Sequence, residues 1–280
     1  SHQLLGYIAS AEACLEKELM LSPDSAQAAV NLGWILEEQN RVPEALMQYR
    51  KALYYNPNHP DLRWNHGLAC LMLGDYARGW RDYEFRWKAR NKQKSTYDKP
   101  EWKGEPLNGR SLLLYTEQGF GDSIMFLRFA QQMGRAKNRI SLQCQPQLKR
   151  LFSAQPELEY VVANEEKLPS YDLQAPLMSL PHLLKLAREN NFHSQAYLSP
   201  DELSIAPIPA AKPDHKKIAV TWASAPHSEI QEKKSVPYPK FCKLFDSPNC
   251  TFYSVQINAD ATAVADMNQR SNVHNLGDSI

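Results

Sequence analysis

At 280 residues the chain is long enough for about two domains, each with its own core. Apolar residues make up 43% and charged residues 22%, as in an ordinary soluble globular protein. The formal net charge of +1 excludes a polybasic nucleic-acid reader, because no global field is present to hold a phosphate backbone.

No run of 18 apolar residues spans a membrane. The most basic stretch, Arg86 to Lys94, reads as a solvated helix end. Five cysteines (Cys14, Cys70, Cys144, Cys242, Cys250) stand apart with no CxxC pair. Their scatter predicts buried structural thiols in a reducing compartment, hence a cytoplasmic chain without disulfides or zinc.

The first hundred residues repeat. In 26–59 small or apolar residues fall at Leu32, Gly33, Leu36, Ala45, Tyr49 and Ala52, with Pro57 behind them. A shift of 34 residues lands on His66, Gly67, Cys70, Gly79, Tyr83 and Arg86, so the glycine, the small residue and the aromatic recur. A shift backwards lands on Ala11, Leu15 and Pro23. This pattern resembles the tetratricopeptide repeat, about two and a half units of it in 1–95, in which small residues let antiparallel helices approach and an aromatic wedges between units. An array starting in mid-repeat is expected to extend further upstream. Such arrays hold an extended peptide or another protein on their concave helices, here with Asn31, Trp34, Asn65 and His66 as candidates. The alternative for Trp34 and Trp64 is packing between helices.

Past Gly74 the text GDYARGWRDYEFRWKAR predicts a longer final helix that closes the array. Residues 96–110 read as an ordered connector, since the Pro- and Gly-rich text carries Tyr97 and Trp102. From Ser111 the period changes. Leu112 to Tyr115 suits a buried parallel strand, Gly119 and Gly121 a tight turn, and Ile124 to Met133 a helix. Strands at Arg139–Gln143, Glu159–Val162 and Tyr171–Gln174 alternate with helices at Gln147–Phe152 and Ser179–Ala187. That alternation predicts a doubly wound parallel sheet over 111–205. A Pro-rich linker (206–216) precedes a second start at 217–280. There a buried strand Lys217–Trp222, a polar turn (223–228), a helix near Pro239–Phe245 and a strand Thr251–Gln256 are expected.

The order of these motifs carries a resemblance. Repeats, then PEWKGEPLNGRSLLLYTEQGFGDSIMFLRF, YDLQAPLMSLP, KIAVTWASAPHSEIQEKKSVPY and FYSVQ, is similar to bacterial tetratricopeptide glycosyltransferases. Their catalytic part resembles the heptosyltransferases and, more distantly, O-GlcNAc transferase. The resemblance implies a helical superhelix followed by a GT-B-like pair of Rossmann-like domains, an acceptor side and a donor side. It implies transfer of a sugar from a nucleotide-sugar to a protein or glycan acceptor recruited by the repeats, with no metal and no further cofactor. The absence of a DxD motif agrees with that.

By the same resemblance the aspartate of the GxGD turn, Asp122, faces the interdomain cleft as the base that takes the acceptor proton. Its other reading is a helix N-cap, which would hold it ionised and make it a poorer base. Glu117, Gln118, Gly119 and Gly121 lie in the same turn as acceptor contacts, and Arg128 reads as a structural salt bridge. Ser224 and His227 follow the second-half strand, where hydroxyls and amides hold a diphosphate. Lys234 and Ser235 match the phosphate-contacting K-x-x-P segment. Lys233 and Lys234 also fit a solvated loop, and His227 a surface position. These enzymes continue beyond FYSVQ with an Asp-Thr…His…Gly segment, whereas this text stops at VHNLGDSI. The second Rossmann half is therefore expected to hold only its first two or so strands, and the chain by itself to be weakly active or inactive. A non-catalytic scaffold built of repeats and a degenerate transferase domain is the alternative.

Overall fold

The computed structural model describes residues 2–89, 97–187, 196–199, 208–224 and 234–277. The chain divides into two compact units, Ser1–Asp201 and Glu202–Ile280. Helices fill the first part of unit 1: α1 (His2–Leu21), α2 (Ala26–Glu38), α3 (Val42–Tyr55), α4 (Pro60–Met72), α5 (Tyr76–Tyr83) and α6 (Arg86–Ala89). Four of these starts have a local cause. Ser25 and Asp75 cap α2 and α5 by accepting the amide hydrogens of Ala28 and Arg78, and prolines sit in the first turns of α3 and α4. Asn40 and Gly74, 34 residues apart, take the left-handed conformation between helices (φ 61° and 79°), which asparagine and glycine tolerate.

The period seen in the sequence is a packing period. A Cβ on Gly33 would lie 2.2 Å from the Tyr49 ring, and one on Gly67 would lie 2.8 Å from the backbone nitrogen of Tyr83. Both tyrosines are buried, Tyr49 completely. The expected long final helix is instead broken at Glu84 and Phe85, so that α6 leaves α5 at a turn. Arg86, read as the start of a solvated basic run, is buried.

Unit 1 continues with β1 (Ser111–Tyr115), α7 (Phe120–Arg135), β2 (Arg139–Cys144), α8 (Pro146–Ser153), β3 (Tyr160–Ala163), β4 (Leu173–Pro176) and α9 (Leu180–Leu183). All four strands are parallel in the order β3-β2-β1-β4. β1 is buried along its whole length, as a central strand covered on both faces must be. The helix expected to reach Ala187 ends at Leu183, where the chain turns through Lys185 at φ 54°. From Tyr97 on, the connector packs on the sheet. Trp102 is buried, its amide bonds to the Gln174 carbonyl, and Tyr97 rests on Tyr115 with ring centroids 4.7 Å apart. One apolar core runs from the last repeat into the sheet, holding Tyr83, Phe126, Leu112 and Leu114, with Trp80 edge-on to Phe126.

Unit 2 has β5 (Lys216–Val220), a short α10 (Tyr238–Phe241), β6 (Cys250–Ser254), α11 (Ala261–Gln269) and β7 (Val273–Asn275), with parallel strands in the order β5-β6-β7. Among its described residues it therefore holds three strands where about two were expected. β5, expected to be buried, is exposed or half-exposed up to Val220, and the core lies instead around Trp222, Phe245, Phe252 and Met267. The cysteines are all free, with Cys70 and Cys144 buried and Cys14 exposed. Among the described residues no helix is long and apolar enough to cross a membrane.

The close approach at Gly67 yields a direct test. Gly67→Ala drives a methyl group against the backbone of α5, which no rotamer change relieves, and should lower stability to urea by about 2 kcal/mol.

Candidate functional site

In the order β3-β2-β1-β4 the chain winds outward from β1 on one side and returns on the other, so the topological switch point lies between β1 and β4. Ligands of open α/β sheets bind outside the carboxyl ends of the strands at such a point. Two loops border it here, the turn from Thr116 to Gly119 that leads into α7, and the stretch Leu177–Ser179 after β4.

The turn carries Asp122, but not as an N-cap. Gly119 caps α7 without a side-chain hydrogen bond, and Asp122 stands three residues later in the first turn. Its side chain is half-exposed, and among the described residues it accepts no hydrogen bond. The competing sequence reading is thereby corrected: the glycine supplies the cap geometry, and the carboxylate stays available. Gly119 and Gly121 are exposed, and a Cβ at Gly121 would meet open space.

Glu117 and Gln118 face inward. The Glu117 side chain is only 6% exposed and accepts a hydrogen bond from Arg86 Nη2 at 2.7 Å, so it does not present a free carboxylate to an acceptor. Gln118 donates from Nε2 to the Tyr83 hydroxyl at 3.1 Å, and its carbonyl accepts from Gln145 Nε2 at 2.6 Å. Arg86 itself is 3% exposed and reaches Glu84 Oε1 at 2.6 Å and Ser179 Oγ at 2.9 Å. Its guanidinium lies over the Tyr83 and Trp87 rings. Burial works against its charge, but Glu117 and Glu84 outweigh that and hold it above the ordinary arginine value. Burial likewise pushes the Tyr115 phenol well up, with Glu117 adding to it. Arg128 donates to the Met125 carbonyl and stacks on Tyr197 at 4.5 Å, and no ion pair forms between it and another described residue.

The repeat candidates separate. Trp34 is 58% exposed, Asn31 is exposed and bonded to Gln27, and Asn65 is half-buried. Trp64 packs against the shared core. His66 points inward instead of toward a peptide, with Nδ1 2.8 Å from Asp82 Oδ2. An ionised carboxylate only accepts, so Nδ1 carries the proton. Burial disfavours the Asp82 charge. Hydrogen bonds from His66 and Arg81, and the charges of Arg81 and Arg63, prevail and hold its pKa below the ordinary 3.8.

In unit 2 the segment after β5 is held by one side chain that sequence reading left unassigned. Gln256 Oε1 accepts from Thr221 Oγ1 (2.8 Å), Trp222 N (3.1 Å) and Ala223 N (2.9 Å), and Gln256 Nε2 donates to the Ile257 carbonyl. This clamp takes Thr221 and Trp222 out of the expected strand. Ser224 and Ser235 come together, the Ser224 amide donating to Ser235 Oγ at 3.1 Å, while the Ser224 hydroxyl is buried with no partner among the described residues. Lys234 is exposed. His227 and Lys233 lie outside the described residues. No cluster of His, Cys, Asp and Glu fit to hold a metal occurs among the described residues.

No family model matches the chain. It is 23% identical over 279 residues to Protein FlbA of Caulobacter vibrioides, covering 90% of this chain and 47% of that protein. The chain thus spans about half the length of this curated relative. Among solved structures, a mutant O-GlcNAc transferase of Thermobaculum terrenum is 11% identical with a TM-score of 0.29, covering 96% of this chain and 71% of the other. The iron-containing dodecameric glycosyltransferase TibC of enterotoxigenic E. coli is 10% identical with a TM-score of 0.36, covering 59% and 46%. TM-scores this low carry no inference about fold or activity.

Two measurements check the geometry. Because the Asp82 pKa is depressed in the folded state, its pairing stabilises the repeat above the unfolded value and is lost as pH falls through the lower folded one. Asp82→Asn should therefore flatten the fall in melting temperature below about pH 4 relative to the parent chain. Gln256→Leu leaves the Trp222 and Ala223 amides without their acceptor and should cost about 2 kcal/mol in denaturant unfolding.

Proposed function

We propose that this chain is part of a glycosyltransferase of GT-B type, moving a sugar from a nucleotide-sugar to a protein or glycan acceptor recruited by the repeats. The observation that carries the reading is Asp122. A half-exposed carboxylate, uncommitted among the described residues, stands in the first turn of α7 beyond the carboxyl end of β1, beside the switch point. The order of motifs along the chain supports the same reading.

In this mechanism Asp122 takes the proton of the acceptor hydroxyl as its oxygen attacks the anomeric carbon, and the sugar–phosphate bond breaks with its electron pair leaving on the nucleoside diphosphate. Inversion at carbon follows from the single displacement. Charge on the departing diphosphate is met by the Lys234 ammonium, next in the chain to Ser235, whose hydroxyl accepts from the Ser224 amide. No metal is required for that step. Acceptor recruitment falls to the exposed Trp34, with Asn31 one turn before it on α2 and Asn65 on α4.

The test is transfer from labelled UDP-, GDP- and ADP-sugars by the full-length protein. Asp122→Asn should lower turnover by about 10²–10⁴-fold, and Lys234→Ala should lower it at least about tenfold. Undiminished turnover in Asp122→Asn removes the base assignment. Absence of nucleotide binding by the full-length protein replaces the enzyme reading with the scaffold.

A further inference from the structure

The Glu117–Asp122 turn is held from outside its own sheet as well as from within it. Glu117 is bonded to Arg86 and Gln118 to the Tyr83 hydroxyl, and both partners belong to the last repeat helices. From within the sheet domain Gln145 bonds the Gln118 carbonyl and lies 3.2 Å from Ser123 Oγ, which also reaches the Gly119 carbonyl. Arg86 does one thing more. Its Nη2 reaches both Glu117 Oε1 and Ser179 Oγ, and Ser179 in turn donates to Glu84 Oε2. A single guanidinium thus ties together the two loops that border the switch point, one after β1 and one after β4.

An arginine this deeply buried has no solvent to fall back on, and its planar fork fixes direction as well as distance. The break at Glu84 and Phe85 is what delivers it: a continuous helix would have carried position 86 along the axis of α5, whereas the turn sends it into the sheet domain.

We propose that Arg86 is a positioning residue, through which the last repeat fixes the β1–α7 turn and hence the placement of Asp122. Its catalytic consequence rests on the glycosyltransferase reading above; its structural consequence does not. The sheet domain is then not a transferase half to which a recruiting arm is merely appended. The arm supplies a part of the site.

The experiment uses the full-length protein with Arg86→Met, Arg86→Lys and Glu117→Gln. Hydrogen exchange, read by mass spectrometry, compares amides of the 116–124 segment with those of Arg139–Cys144 in the same sample, so that general unfolding is recognised by its effect on β2. Arg86→Met and Glu117→Gln should speed exchange in the turn at least tenfold with β2 unchanged, and Arg86→Lys, which keeps the charge but loses the fork, should fall between. Transfer from the same labelled nucleotide-sugars should lose at least tenfold in kcat while the donor KM stays within twofold. Unchanged exchange in the turn overturns the proposal whatever the activity. Faster exchange with undiminished kcat in an active parent also overturns it, leaving Arg86 a structural clamp. A parent without turnover on any donor refutes the functional reading instead, and the exchange comparison still decides whether Arg86 sets the turn.

Discussion

A guanidinium removed from water must be paired, and in this protein that requirement joins the repeat to the sheet. Leaving a buried charge without its partner costs about 3–5 kcal/mol, so Arg86, Glu84, Glu117 and Ser179 form or fail together. The apolar core around Tyr83, Trp80 and Phe126 brings the two surfaces into contact, and the ion pair selects one register between them. Hydrophobic burial is non-directional and would tolerate sliding; the arginine fork does not.

The same division of labour operates inside the repeat. Gly33 and Gly67 allow the helices to approach so closely that a methyl group has no room: the Tyr49 ring fills the space at Gly33, and the α5 backbone itself fills that at Gly67. Between α4 and α5, His66, Arg63 and Arg81 surround Asp82, placing a satisfied polar group in the middle of the packing. The outward positions are left to other uses, and Trp34 occupies one of them. Inward and outward faces thus differ in chemistry although they belong to one helix period.

Unit 2 solves its local problem with an amide. Two backbone amides and a hydroxyl just past β5 need an acceptor where the strand ends, and Gln256, past the end of the neighbouring β6, supplies one oxygen to all three. The Ser224 amide, one residue further on, is met instead by the Ser235 hydroxyl. Gly277 allows the chain after β7 to pass the Gln256 carbonyl, where a side chain would collide.

Periodicity and local chemistry made much of this legible without coordinates. The 34-residue spacing marks the close helix contacts, and the apolar run at Leu112–Tyr115 marks a strand covered on both faces, because each pattern reports which side of an element is dry. The glycine turn before α7 could be placed for the same reason, as glycine and aspartate act on the backbone next to them. Contacts between distant segments left no such mark. A basic run shows neither that Arg86 turns inward nor that Glu117 is its partner 31 residues away. His66 was drawn inward by Asp82, and Thr221 and Trp222 out of the expected strand by Gln256. By itself, then, the sequence determined most of the elements, the dry faces of the repeat helices and of β1, and the turn that leads to Asp122. Only the tertiary structure decided which polar groups are consumed by one another and which remain free, because pairing depends on what the fold brings within 3 Å and not on spacing along the chain.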